Sequence, residues 1–191
     1  MISSTAEALP MHRLEDRSDE ALAELAAHGE ATSFATLAAR HRGKALRIAY
    51  GILHNRADAE DAVQDAFIRV YRNLAGFRGT GGFGSWLYRI VVNESIRLLH
   101  SARVRMDEDE LEEDCVAIQG MDPERALLVR QCMASLPERL RVVLALRGVD
   151  ELDYAEIAEI LAIPVGTVRS RLHEARQMFA ECWKEAMKDE V

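Results

Sequence analysis

The chain is poor in the residues that anchor most chemistry. Its three cysteines, Cys115, Cys132 and Cys182, are widely spaced and form no CxxC pair. An odd, dispersed count argues against a disulfide framework and a zinc site, so buried or free thiols are expected. Six histidines are equally scattered, with no HExxH or ExxH spacing for a metal. No apolar run approaches the roughly 18 residues of a membrane span. The start, "MISSTAEALPMHRLEDRSDE", lacks the apolar stretch that follows a basic beginning in secretory signals. Nowhere does a sustained apolar–polar alternation predict a strand. Basic residues are outnumbered too, 24 Lys and Arg against 32 Asp and Glu, for a formal charge of −8. These absences leave an all-α, cytoplasmic protein with no metal, cofactor or small-molecule substrate.

What is present is unevenly placed. The residues are 49% apolar, enough for a core, and 191 of them suit one or two domains. The stretch "DEDELEED", Asp107 to Asp114, carries seven of the acidic residues, and without it the net charge falls to −1. Helical periodicity fails around that run. The division expected is a tail over 1–18, a small helical domain over 19–103, a flexible acidic linker over 104–121 and a second helical domain over 122–188. The linker reads either as a solvated spacer or as an acidic mimic of nucleic acid. Expected stops in the first domain are Gly29, His54–Asn55 and Gly76.

Punctuation is clearest in the second domain. Asp122 and Pro123 suit a helix start. Ser135 and Glu138 have capping-box spacing around Pro137, with a helix end near Gly148, and Asp153 and Glu156 repeat that spacing before "YAEIAEILA". Pro164 and Gly166 mark a short turn before a last helix, about Val165 to Trp183. Helix, short turn, helix is the geometry that lays a second helix in the DNA major groove. On that helix Val168, Leu172, Ala175 and Phe179 should pack inward. Arg169, Ser170, His173 and Glu174 then face out, flanked by Arg171 and Arg176. Arginine can clamp a guanine edge or a phosphate, and Ser or His can donate to either. Many helices carry arginines on a merely solvated face, so the pattern alone leaves both readings standing.

In the first domain, "DAEDAVQDAFIRVYRNL" buries Ala59, Ala62, Val63, Ala66, Phe67, Val70 and Leu74 at helical steps. The other side shows Asp61, Gln64, Asp65, Ile68 and Arg72, and an apolar residue among carboxylates hints at a protein partner. Next comes a loop with five glycines from Gly76 to Gly84, able to approach a ligand closely. On the following helix Arg89, Asn93 and Arg97 share a side with Trp86 and His100. An aromatic, an amide and arginines beside such a loop suit single-stranded nucleic acid, bases stacking and arginines holding phosphates. A core Trp with a solvated arginine stripe is the plain alternative. Glu94 falls among apolar positions without a physical account. Asp58, Glu60, Asp61 and Asp65 could suggest a metal cluster, but no ExxH partner accompanies them, and no nucleophile–base pair argues for an enzyme.

The stretch "LPERLRVVLALRGVDELDYAEIAEILAIPVGTVRSRLHEAR" closely resembles the C-terminal domain of bacterial extracytoplasmic-function (ECF) sigma factors, and "DAEDAVQDAFIRVYRNL" and "FRGTGGFGSWLYRIVVN" resemble their first domain. The resemblance implies a non-catalytic specificity subunit that binds core RNA polymerase and promoter DNA. It implies that Asp61, Gln64, Asp65 and Arg69 face polymerase. It implies that Phe77, Trp86, Arg89, Asn93 and Arg97 serve the minus-ten element, capturing a flipped base and helping to melt the promoter. Arg169, Ser170, Arg171 and His173 would read the minus-thirty-five element. Glu174 stands where the family often has a basic residue and can accept from a cytosine amino group; Arg176 lies beside it. An anti-sigma factor, often membrane-anchored, is the further partner implied. A competing reading is a regulator that binds duplex DNA through residues 153–183 and never joins polymerase. It leaves the Gln64–Asp65 face and the Trp86–Asn93–Arg97 stripe without a use.

Overall fold

The computed structural model describes residues 14–77, 79, 81–105, 122–149 and 152–188. Among them there are eight α-helices and no strand. The acidic run, Cys115 and the first residues of the tail lie outside the described residues.

The first bundle holds α1 (Asp19–Ala27), α2 (Ala31–Leu53), α3 (Arg56–Asn73) and α4 (Phe83–Arg105). Ser18 caps α1 by accepting from the Ala21 N–H at 3.3 Å. Asn55 caps α3 by accepting from the Asp58 N–H at 3.0 Å, satisfying orphan donors of the first turn. The expected stripe on α3 is buried at Ala59, Ala62, Val63, Ala66 and Val70. Phe67 is only half-buried. Small alanines on that face let α3 approach Leu37, Ile48, Leu87 and Val91, all at 0% exposure. Each fully buried Leu or Ile contributes about 1.5–3 kcal/mol. Leu14 is also fully buried, and Arg40 donates to the Leu14, Glu15 and Arg17 carbonyls. Residues 14–18, expected in the tail, are therefore part of this bundle.

The second bundle holds α5 (Pro123–Ser135), α6 (Glu138–Gly148), α7 (Tyr154–Leu161) and α8 (Val165–Ala186). Asp153 and Glu156 form the expected capping box. Ser135 and Glu138 do not: Pro137 itself is the N-cap residue of α6, and Ser135 Oγ donates back to the Cys132 carbonyl at 2.8 Å. Buried Arg141 donates to the Ala134 and Leu136 carbonyls at 2.5 and 3.2 Å, fixing the α5–α6 turn. The expectation of unpaired thiols is also corrected. Cys132 on α5 and Cys182 on α8 form a disulfide across 50 residues of sequence, with Cα atoms 5.6 Å apart. Periodicity cannot reveal this, because only the packing of α5 on α8 brings the two sulfurs together.

The bundles pack on each other. Helix α2 meets α6 so closely that a Cβ on Gly51 would lie 3.1 Å from the Ala145 Cβ. Helix α4 meets α7. His54, the C-cap of α2, sits at this seam in a left-handed conformation with φ 56°. It is mostly buried, and its Nε2 has no hydrogen-bond partner among the described residues. Burial, with Arg141 and Arg130 nearby, pushes its pKa down to about 4.

Candidate nucleic-acid interface

On α8, Val168, Leu172 and Ala175 are buried against the rest of the second bundle. Phe179, expected inward, is half-buried and stacks on Trp183 at 6.2 Å. This packing fixes the rotation of the helix. Arg169, Ser170, His173, Glu174 and Arg176 are consequently exposed on one side, with Arg171 partly so. Among the described residues no ion pair involves Arg169, Arg171 or Arg176; Glu174 pairs with Arg139 at 3.3 Å. Arg147 was missed by sequence reasoning. It donates to the Leu152 carbonyl, lies over the Tyr154 ring and lines one crevice with Arg169. Helix α7 precedes α8 through a turn whose Ala162 has φ 53°.

On α4 the candidates are held differently. Trp86 is half-buried, its ring 5.2 Å from Phe77 and 6.0 Å from Phe83. Phe83 is buried and anchors this aromatic group at the start of the helix. Asn93 is exposed. Arg89 reaches across the seam: its Nε donates to the Ile160 carbonyl at 3.1 Å and its Nη2 to the Glu159 carbonyl at 2.5 Å. Arg97 donates to Glu94 and to Asp65, both at 2.8 Å. These bonds, Glu94 first, hold the guanidinium even more firmly protonated than usual.

Glu94 now has its account. It is 1% exposed and also pairs with Arg69 of α3 at 2.9 Å. One buried carboxylate is thus clamped between arginines of α3 and α4, as a buried charge requires. Two residues expected to face polymerase, Asp65 and Arg69, are drawn into this network, whereas Asp61 and Gln64 are exposed. Gln64 borders a groove between α2 and α3 of about 830 Å³, lined also by Phe34, Leu46, Ile68 and Tyr71. Ile68 and Tyr71 are 42% and 51% exposed. Sequence reading found Ile68 but not Phe34 or Tyr71, because the groove is shaped by α2 as much as by α3. No group of three or more metal-ligating side chains occurs among the described residues.

The chain is similar to known proteins in sequence and fold. The Sigma-70 region 2 family matches residues 37–105, and the Sigma-70 region 4 family matches residues 126–179. The RNA polymerase sigma-H factor of Pseudomonas aeruginosa is 36% identical over 179 residues, 86% of this chain and 93% of its own. The ECF RNA polymerase sigma-E factor of Escherichia coli K12 is 36% identical over 178 residues, 85% of this chain and 93% of its own. Among solved structures, CnrH in complex with the cytosolic domain of CnrY has a TM-score of 0.68 at 24% identity. That match covers 88% of this chain and 99% of the other. The Bartonella quintana sigma factor RpoE, in complex with the anti-sigma factor NepR, has a TM-score of 0.58 at 26% identity, covering 74% and 91%.

Proposed function

Since the chain belongs to the ECF family of RNA polymerase sigma factors, we propose that it opens its promoters with the first bundle and finds them with the second. As a sigma factor it is a promoter-specificity subunit and not a catalyst. In the proposed division, residues 19–103 bind polymerase and the minus-ten element, and residues 122–188 read the minus-thirty-five element. Residues 104–121 join them.

The observation that carries the reading is the outward face of α8. Buried Val168, Leu172 and Ala175 turn Arg169, Ser170, His173 and Arg176 to solvent together. An acidic protein with an exposed arginine face beside a capped helix pair has the parts for base and phosphate contacts in a major groove. For the minus-ten strand, exposed Asn93 lies on α4, which follows the glycine loop and carries Trp86 in its first turn. The amide can read a base edge and the ring can stack. For polymerase, Gln64, Asp61 and the Ile68–Tyr71 side of the α2–α3 groove form an apolar patch with a polar rim, the kind of surface that buries against a partner. An anti-sigma factor is the proposed brake, by analogy with the NepR-bound relative. The proposed place of action is the cytoplasm, where polymerase meets promoters.

Run-off transcription with core polymerase, on a promoter selected from a random library, tests this. Wild type should direct initiation that core alone does not. Arg169→Ala and Asn93→Ala should each cut it at least about tenfold, one lost base contact being worth about 1–3 kcal/mol. A chain that binds duplex DNA but never supports initiation would show the plain regulator instead.

A further inference from the structure

The end of α7 occupies the part of α4 to which the minus-ten strand has been assigned. Ser85 Oγ donates to Glu159 Oε2 at 3.0 Å, and Arg89 donates to the Glu159 and Ile160 carbonyls. Gly81, with φ +84°, lies so close that a Cβ there would collide with the Glu159 carboxylate. Ile160 is 1% exposed, and its carbonyl is the one that the Arg89 Nε of α4 holds. The last carbonyls of a helix carry partial negative charge, and Glu159 adds a full one. An arginine, a hydroxyl and a glycine loop gathered around anionic oxygens is the chemistry of a phosphate site. We infer that Glu159 and the C-terminal carbonyls of α7 are an internal phosphate mimic, which occupies the Arg89–Gly81 end of the minus-ten face while the chain is free and leaves the α8 face open. The inference rests on the assignment of Arg89 and the loop to the minus-ten strand.

Anisotropy of a fluorescein-labelled single strand, carrying the non-template minus-ten segment of the selected promoter, tests it on the full chain. Wild type should bind weakly. Glu159→Ala, with Glu159→Gln as the isosteric check, should bind roughly tenfold more tightly, one charge-assisted contact having been removed from the closed state. The distance between dyes on α2 and α8 should increase in the same variants. Equal affinity in wild type and both variants, with Asn93→Ala weakening all of them, would overturn the latch and keep the minus-ten assignment. No effect of Asn93→Ala in any background would overturn that assignment, and the latch with it.

A different observation supports a second inference. Cys132 is fully buried and Cys182 half-buried, and their disulfide closes a segment that contains α6, α7 and the reading residues of α8. Polymerase works where thiols are kept reduced, and disulfides found there are mostly transient and redox-sensing. We propose that this pair is a reversible oxidation site. Cys182, the more accessible, attacks glutathione disulfide as the thiolate and releases one glutathione thiolate. Cys132 then attacks the Cys182 sulfur of the mixed disulfide and releases the second. The two thiol protons pass to the departing glutathiones. Full-length protein equilibrated in glutathione buffers of rising oxidised fraction should lose two hydrogens by mass and melt several degrees higher. Cys182→Ser and Cys132→Ser should abolish both changes, and Cys115→Ser should keep them. Unchanged mass throughout, or a change that Cys115→Ser removes, would overturn it.

Discussion

The outward faces of α4 and α8 carry similar side chains, arginines among small polar groups, yet they are held in opposite ways. On α8 the arginines stand in solvent without described ion-pair partners, positioned only by the buried residues beneath them. On α4 the two candidate arginines are already spoken for, Arg97 by Glu94 and Asp65 and Arg89 by the carbonyls of α7. A duplex is always available as a ligand, so a face that reads it can stand ready. A melted strand exists only after the promoter opens, so a face that takes it can be held by internal partners until the strand displaces them. On the proposed minus-ten assignment, the salt bridges on α4 serve function as well as stability.

The largest expected effect breaks the α4 side of this contrast. Glu94→Ala leaves two arginines beside an empty buried position, which should cost about 3 kcal/mol in a denaturant titration, the low end for a broken buried pair because both arginines are half-exposed. Next comes acid. His54 is buried neutral with its pKa lowered to about 4, so the unfolded chain binds its proton more readily than the folded one. Stability is then fully present above the unfolded value of about 6.5 and falls between there and about 4, by on the order of 2–3 kcal/mol. Thermal melts of wild type should show that slope. His54→Gln should flatten it, and an unchanged slope would remove His54 from the account.

The third prediction concerns the α8 side. Arg169→Ala should weaken binding to a minus-thirty-five duplex by about 2 kcal/mol and leave the melting temperature alone, since the side chain is exposed. The smallest effect separates structure from partner binding. Asp65→Asn should cost under about 1 kcal/mol of stability, its pair with Arg97 being half-exposed. If Asp65 also touches polymerase, the same variant should lose affinity for core polymerase out of proportion to that cost.

Much of this was readable from the sequence where the signal is local. The α3 stripe, the Asp153–Glu156 capping box and the inward row of α8 follow from a 3.6-residue period and from cap chemistry, and all three are seen, except that Phe67 and Phe179 are only half-buried. Most of the parts that escaped depend on partners distant in sequence. Glu94 looked misplaced until Arg69 arrived from α3. The Cys132–Cys182 bond needs α5 laid on α8. The groove beside Gln64 needs Phe34 from α2. Ser135 failed as a cap because Pro137 holds the N-cap position of α6 and the hydroxyl turned back to Cys132. The contact of α4 with α7 also lies outside any periodicity, since Ser85 and Arg89 meet Glu159 and Ile160 across at least 70 residues of sequence.

The most direct test of the division of labour between these faces is permanganate footprinting of promoter opening by reconstituted holoenzyme. The account predicts that Asn93→Ala holoenzyme still occupies the promoter but leaves its minus-ten thymines unreactive. Arg169→Ala should occupy it poorly, yet open it normally once enough protein is added to saturate it. Normal opening with Asn93→Ala, or an opening defect in Arg169→Ala that persists at saturation, would contradict it.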